Sequence, residues 1–313
     1  MKKYLLLGVL AVLLTISLSA AEEITIKLPD GLYMYDSSIE RLTVGRERVG
    51  FGKFFVVYNN IIYSSREAIR KFGASKLNSL FTIDKNYKIL FGGENIGKIY
   101  DVEIDDEGDW NYKEELLTEN IKEGPMYGPQ GSIYGSVLKC IAVPESYKEA
   151  PRKAYTTISK EEVDKISELA KNNLFDLIKN RKEVKQYKLK KSELIRAELQ
   201  GLDKISHRND DLYIGVYLYV FETAKDTHWF GIVFSARKDS IYVITTNYDD
   251  EILWDGRVTI YSTLDVDGCG EDELLIEKEY ETEDETTVYL EIYKQRTDGS
   301  WERIVRIKTR RIL

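Results

Sequence analysis

LYIGVYLYVFE, residues 212–222, opens the most regular strand pattern in the chain. Val, Ile, Tyr and Phe crowd into one short run, and such runs between polar turns form strands. The theme continues in WFGIVFS (229–235), SIYVITT (240–246), RVTIYSTLDV (257–266), ELLIEKEY (273–280), TVYLEIYKQ (287–295) and WERIVRIK (301–308). Short polar turns separate these runs, so the region reads as an antiparallel meander. TDGS (297–300) marks a hairpin, because Asp-Gly accepts the positive φ of a tight turn. Residues 271–285 hold nine acids and one Lys, and residues 294–311 hold seven Lys or Arg and two acids. Opposite charges are therefore expected on neighbouring strands there.

Residues 22–150 repeat the strand-and-turn pattern in ITIKL (24–28), FFVVYNNIIY (54–63), LFTIDKNYKILFGG (80–93) and KIYDVEIDDEGDW (98–110). FFVVYNNIIY reads as two short strands about Asn59-Asn60. A short helix at SREAIRKFG (65–73) stops at Gly73, and KEGPMYGPQGSIYG (122–135) reads as a loop. Residues 151–185 form a helical segment. Ser159 and Glu162 make a capping box, Ile158 and Val163 a hydrophobic staple, and Val163, Ile166, Leu169, Ala170, Leu174, Leu177 and Ile178 recur at helical spacing. SELIRAELQG (192–201), at the start of the β-rich region 186–313, reads either as a helix ending at Gly201 or as a strand, and the strand is the expectation. The fold class is mainly β (α+β): antiparallel sheets, propeller-like or in two β lobes, with one amphipathic helix near the middle.

The first 21 residues read as a secretory signal peptide. Lys2 and Lys3 precede the apolar run YLLLGVLAVLLTISL, and Ser19 and Ala21 suit a cleavage site after Ala21. The expected location is periplasmic or secreted, with no transmembrane span after cleavage. Removing Lys2 and Lys3 leaves 43 basic residues against 53 acids, so the net charge moves from −8 to −10. That excess opposes nucleic acid as a partner and suits cations. Two cysteines in an oxidising compartment suggest a Cys140–Cys269 disulfide. Such a bridge would close a long loop, worth about 4–5 kcal/mol in the chain-entropy account.

The most chemically loaded stretch is DVDGCGEDE, residues 265–273. Asp265, Asp267, Glu271 and Glu273 alternate around Gly268 and Gly270, the way oxygen ligands converge on a hard cation such as Ca²⁺. It is not an EF-hand: Cys269 stands at the third acid position, Ile276 at the terminal Glu position, and the flanks are strands. LDVDGCGEDELLI resembles the calcium loops of FG-GAP and VCBS-type β-propeller repeats, over about residues 258–305. The resemblance implies Asp265 and Asp267 as the first two ligands, a backbone oxygen from Glu271, and Glu273 as the last carboxylate. Cys269 departs from that pattern, since sulfur is a poor partner for a hard ion.

Other motifs carry less. GGENIGK (92–98) has phosphate-loop spacing, but Ile99 replaces the Mg²⁺-holding hydroxyl and a strand follows. His207 and His228 lack metal-ligand spacing. No catalytic residue and no other cofactor site emerges. The expected function is a non-enzymatic binding or structural module of the cell envelope, stabilised by calcium, with a protein or glycan partner. The alternative is a periplasmic or secreted, glycosidase-like hydrolase using dispersed carboxylates.

Overall fold

The computed structural model describes residues 25–43, 46–82, 85–91, 94–105, 110–116, 138–149, 158–180, 190–207, 210–224, 227–247, 256–281 and 286–311, with Lys185 and Lys188. The signal-like residues 1–21 and the loop 122–135 lie outside them. Within them the chain is mainly β, with three antiparallel sheets and few helices.

The first sheet has seven strands: β1 (Gly31–Thr43), β2 (Arg46–Tyr58), β3 (Ile61–Ser64), β4 (Tyr87–Phe91), β5 (Glu94–Ile104), β6 (Trp110–Leu116) and β7 (Ile141–Pro144). Their order is β3-β2-β1-β7-β4-β5-β6. The short strand β7 is buried along its whole length, which its apolar IAVP sequence permits. It pairs with β4 from Tyr87–Pro144 to Leu90–Ile141, and with β1 through Met34–Ala142, so it stitches two hairpin groups together. The β2–β3 turn uses Asn59 (φ 52°) and Asn60 (φ 62°), both left-handed, a conformation Asn tolerates well. Helix α1 (Ser65–Phe72) starts on a Ser64–Glu67 capping box and stops at Gly73 (φ 74°). Helix α2 (Ala74–Leu77) and a π-helical turn (Asn78–Thr82) follow. Ala68, Leu77 and Phe81 then bury against Leu32, Met34 and Val56.

The second sheet is the meander β8 (Leu194–His207), β9 (Asp210–Glu222), β10 (Thr227–Arg237) and β11 (Ser240–Thr246). SELIRAELQG thus enters a strand. Helix α3 (Lys160–Ile178) begins at the Ser159–Glu162 capping box. Its buried stripe, Ile166, Ala170, Leu174 and Ile178, advances four residues at a time and packs on Tyr217, Tyr219, Phe221 and Phe230. The alternate side chains of β9, Leu212 and Ile214, enter a different core, shared with the first sheet. Both faces of β9 are therefore covered over most of its length. That is why LYIGVYLYVFE is nearly continuously apolar, without a polar face. Gly215 is required by this packing: a Cβ there would lie 2.5 Å from Cζ of Phe234.

The third sheet is a second meander, β12 (Gly256–Leu264), β13 (Glu273–Glu281), β14 (Thr286–Gln295) and β15 (Trp301–Arg311). The β14–β15 turn carries Gly299 at φ 89°. Leu274 and Ile276 join the core that all three sheets share, and Leu275, Leu290 and Ile292 join a second core with Tyr33, Tyr35 and Val143. Hydrogen bonds from Trp301 Nε1 to Ser235 Oγ (2.8 Å) and from the Tyr293 hydroxyl to Thr245 Oγ1 (3.0 Å) tie this sheet to the second.

The charge expectation needs correction. Strand β14 lies between β13 and β15, so the acidic strand β13 and the basic strand β15 are not neighbours, and the two segments meet where Lys294 of β14 approaches Glu273 of β13 (3.8 Å). Glu291 of β14 mediates instead. It is fully buried, accepts from Arg303 Nη1 (2.8 Å) and the Tyr293 hydroxyl (2.6 Å), and ion-pairs with Arg306 (3.3 Å) and Lys278 (3.7 Å). A buried carboxylate is tolerated when it is surrounded this way. No helix among the described residues is long and apolar enough to cross a membrane.

Candidate metal centre

The loop 265–272 joins β12 to β13, and the Leu264–Glu273 pair closes its base. Its root is fixed from below. The Asp265 N–H donates to the Tyr147 hydroxyl (2.9 Å), Lys27 N–H donates to the Val266 carbonyl (2.8 Å), and the Val266 side chain is buried in the second core. Gly268 (φ 67°) and Gly270 (φ 84°) then turn the chain through left-handed conformations, which brings the acids before and after them together.

Much of the carboxylate capacity is used inside the loop. Asp265 Oδ1 accepts from Cys269 N–H (3.0 Å) and Oδ2 from Gly270 N–H (2.9 Å). Asp267 Oδ1 accepts from the same Cys269 N–H (3.0 Å), and its Oδ2 accepts from the Lys294 ammonium. Glu273 is only 1% exposed. Its Oε2 accepts from Val266 N–H (2.7 Å), while its Oε1 has no hydrogen-bond partner among the described residues. The Lys294 ammonium lies 3.8 Å from that oxygen and 3.9 Å from Cys269 Sγ. Ligand atoms of Asp265, Asp267 and Cys269 all lie within 4.8 Å of one another.

The two inner acids are driven apart. Burial pushes the Glu273 carboxyl up to about 7; the charges of Asp267 and Asp265 add to this, and the Val266 N–H and Lys294 oppose it. Partial burial also pushes Asp267 up, but hydrogen bonds from Cys269 and Lys294 outweigh it and hold this carboxyl below its usual range.

Of the four sequence-predicted ligands, Asp265 and Asp267 converge with Cys269. Glu273 approaches the same ammonium as Asp267 from the strand below. Glu271 turns its carbonyl toward Cys269 Sγ (3.9 Å), and the carboxylates of both Glu271 and Glu273 fall outside the tight group. The donor set of carboxylates and a carbonyl fits a hard cation such as Ca²⁺; the thiol does not.

The expected Cys140–Cys269 bridge is absent, and no disulfide joins the two residues. Cys140 is fully buried in the core shared by the three sheets, whereas Cys269 is exposed at the loop tip, so their side chains belong to different layers. Lys294 lies outside the loop's own sequence pattern. It was legible only through strand register: Leu274 pairs with Tyr293, so one step further Glu273 meets Lys294.

No family model, curated protein or solved structure matches this chain.

Proposed function

We propose that this chain is an exported, non-catalytic binding or structural module of the cell envelope whose acidic loop takes up calcium. The observation that carries the reading is the buried Glu273 oxygen without a hydrogen bond, set against the same ammonium as Asp267. A buried carboxylate oxygen lacking a donor is costly, and a hard cation relieves that cost. The signal-like start and the acidic balance agree with a compartment where millimolar calcium is available. Asp265, Asp267 and Glu273 would supply carboxylate oxygens and Glu271 its carbonyl.

The direct test is thermal melting of the mature chain in EDTA and in 10 mM CaCl₂. With an affinity typical of extracellular modules, binding adds about 1.4–2.7 kcal/mol and raises the melting temperature by roughly 2–5 °C. An unchanged melting temperature sinks the reading.

A glycosidase-like hydrolase has one observation in its favour, the Asp267–Glu273 pair with acidities pushed apart. However, Glu273 is 1% exposed and both acids are engaged by Lys294, so a substrate atom does not reach the pair as it stands.

A further inference from the structure

We infer that Lys294 is a built-in competitor for the cation at the acidic loop and sets the calcium concentration at which the loop fills. The inference rests on the calcium reading above and concerns a residue outside the loop. Strand β14 brings Lys294 to the loop through the register that pairs Leu274 with Tyr293. Its ammonium donates to Asp267 Oδ2 and lies 3.8 Å from Glu273 Oε1 and 3.9 Å from Cys269 Sγ. These are two of the carboxylates a bound ion would use, together with the sulfur that stands in a ligand position. Lys294 therefore does part of a metal's work, neutralising carboxylates that would otherwise repel one another.

A calcium ion on the same oxygens would sit about 2.3–2.6 Å from them. The ammonium cannot stay there as well, because a double and a single charge about 4 Å apart repel strongly even in water. The side chain is about a quarter exposed, and its four-carbon stem is free of backbone constraint, so it swings outward as the ion enters. The loop is thus closed by a tethered cation at low calcium and by the metal at high calcium.

The test is calorimetric titration of calcium into the mature wild-type chain and into variants. Lys294→Met keeps the length and removes the charge; it should bind calcium about tenfold more tightly, since the competing charge is gone. Lys294→Arg, which keeps the charge, should stay near the wild-type affinity. Adding Asp267→Asn to Lys294→Met should erase the gain. Lys294→Gln serves the same purpose if the Met variant does not fold. A neutral variant that binds no more tightly than wild type overturns the inference, and so does an Arg variant that binds as tightly as Met. If wild type shows no binding while Lys294→Met binds, the calcium reading of the native chain fails and the role of Lys294 stands. If wild type binds and Lys294→Met matches it, the reverse holds. If neither binds, both fall.

Discussion

Lys294 Nζ stands 3.8 Å from Glu273 Oε1, a buried carboxylate oxygen that no hydrogen bond reaches among the described residues. One residue lies at the end of β14, the other at the start of β13, and the acidic loop hangs above both. The pairing gives the loop a charge of its own to fold around, and the ammonium faces Glu273 Oε1 without a hydrogen bond to it.

Glu273→Gln separates the structural role of this carboxyl from its ligand role. The amide oxygen still accepts from Val266 N–H, and the cost of burying a charge disappears. Stability in EDTA should stay within about 1 kcal/mol of wild type, because the satisfied oxygen is retained. The calcium-dependent rise in melting temperature should vanish. Urea unfolding with and without calcium measures both.

Cys269 is the position at which the loop departs from a full set of oxygen ligands. Cys269→Asp should tighten calcium binding, because a hard donor replaces a soft one within 4.8 Å of Asp265 and Asp267. Titration calorimetry reads the change, and a weaker affinity would contradict the assigned ligand geometry.

The thiols give a separate check on the absent bridge. Although Cys269 is exposed at the loop tip, partial desolvation of its thiol and the contact with Asp267 push it up to about 11, so it is a slow nucleophile at neutral pH. A thiol reagent on the unreduced native chain should label Cys269 slowly and Cys140 only after unfolding, giving two thiols in denaturant. No titratable thiol in denaturant would restore the disulfide.

The α3 start should lose stability in acid. Burial pushes Glu162 up, but Lys204 Nζ (2.8 Å), the Tyr213 hydroxyl (2.6 Å) and Ser159 N–H (2.8 Å) outweigh it and bring its carboxyl from 4.5 to about 2. A carboxyl lowered on folding stabilises above its unfolded value and loses that contribution as pH falls through its folded value. Glu162→Gln should therefore destabilise at pH 7, and the gap from wild type should close between pH 4.5 and about 2. Urea midpoints across that range decide it; a constant gap would show that the charge is not involved. Ser159→Ala should cost about 1 kcal/mol at neutral pH through loss of the cap.

Gly215→Ala tests the packing of the two-sided strand. The new methyl meets the Phe234 ring at 2.5 Å and Gly201 O at 3.1 Å. Overpacking of this kind costs about 1–3 kcal/mol. A lower urea midpoint with an unchanged slope is expected, and full wild-type stability would mean that the Phe234 ring does not sit there.

Local signals were legible where chemistry within a few residues decides the structure. The Ser159–Glu162 cap, the Asn59-Asn60 turn, the Gly73 stop and the Asp298-Gly299 hairpin all lie where their residues place them. Sheet order was not legible, because it depends on which strands meet across long separations. Ile141–Pro144 pairs with both β1 and β4, and β14 inserts between oppositely charged strands. At the loop, alternation revealed Asp265 and Asp267. Lys294, 27 residues beyond Asp267, enters only through the β13–β14 register, and the burial of Cys140 in a three-sheet core could not be read from cysteine count.

A crystal structure of the mature chain grown in 10 mM calcium shows directly what occupies the acidic loop. An ion is expected about 2.3–2.6 Å from carboxylate oxygens of Asp267 and Glu273, with the Lys294 ammonium turned out to solvent. Lys294 still bonded to Asp267, with no ion beside Glu273 Oε1 at that concentration, would contradict it.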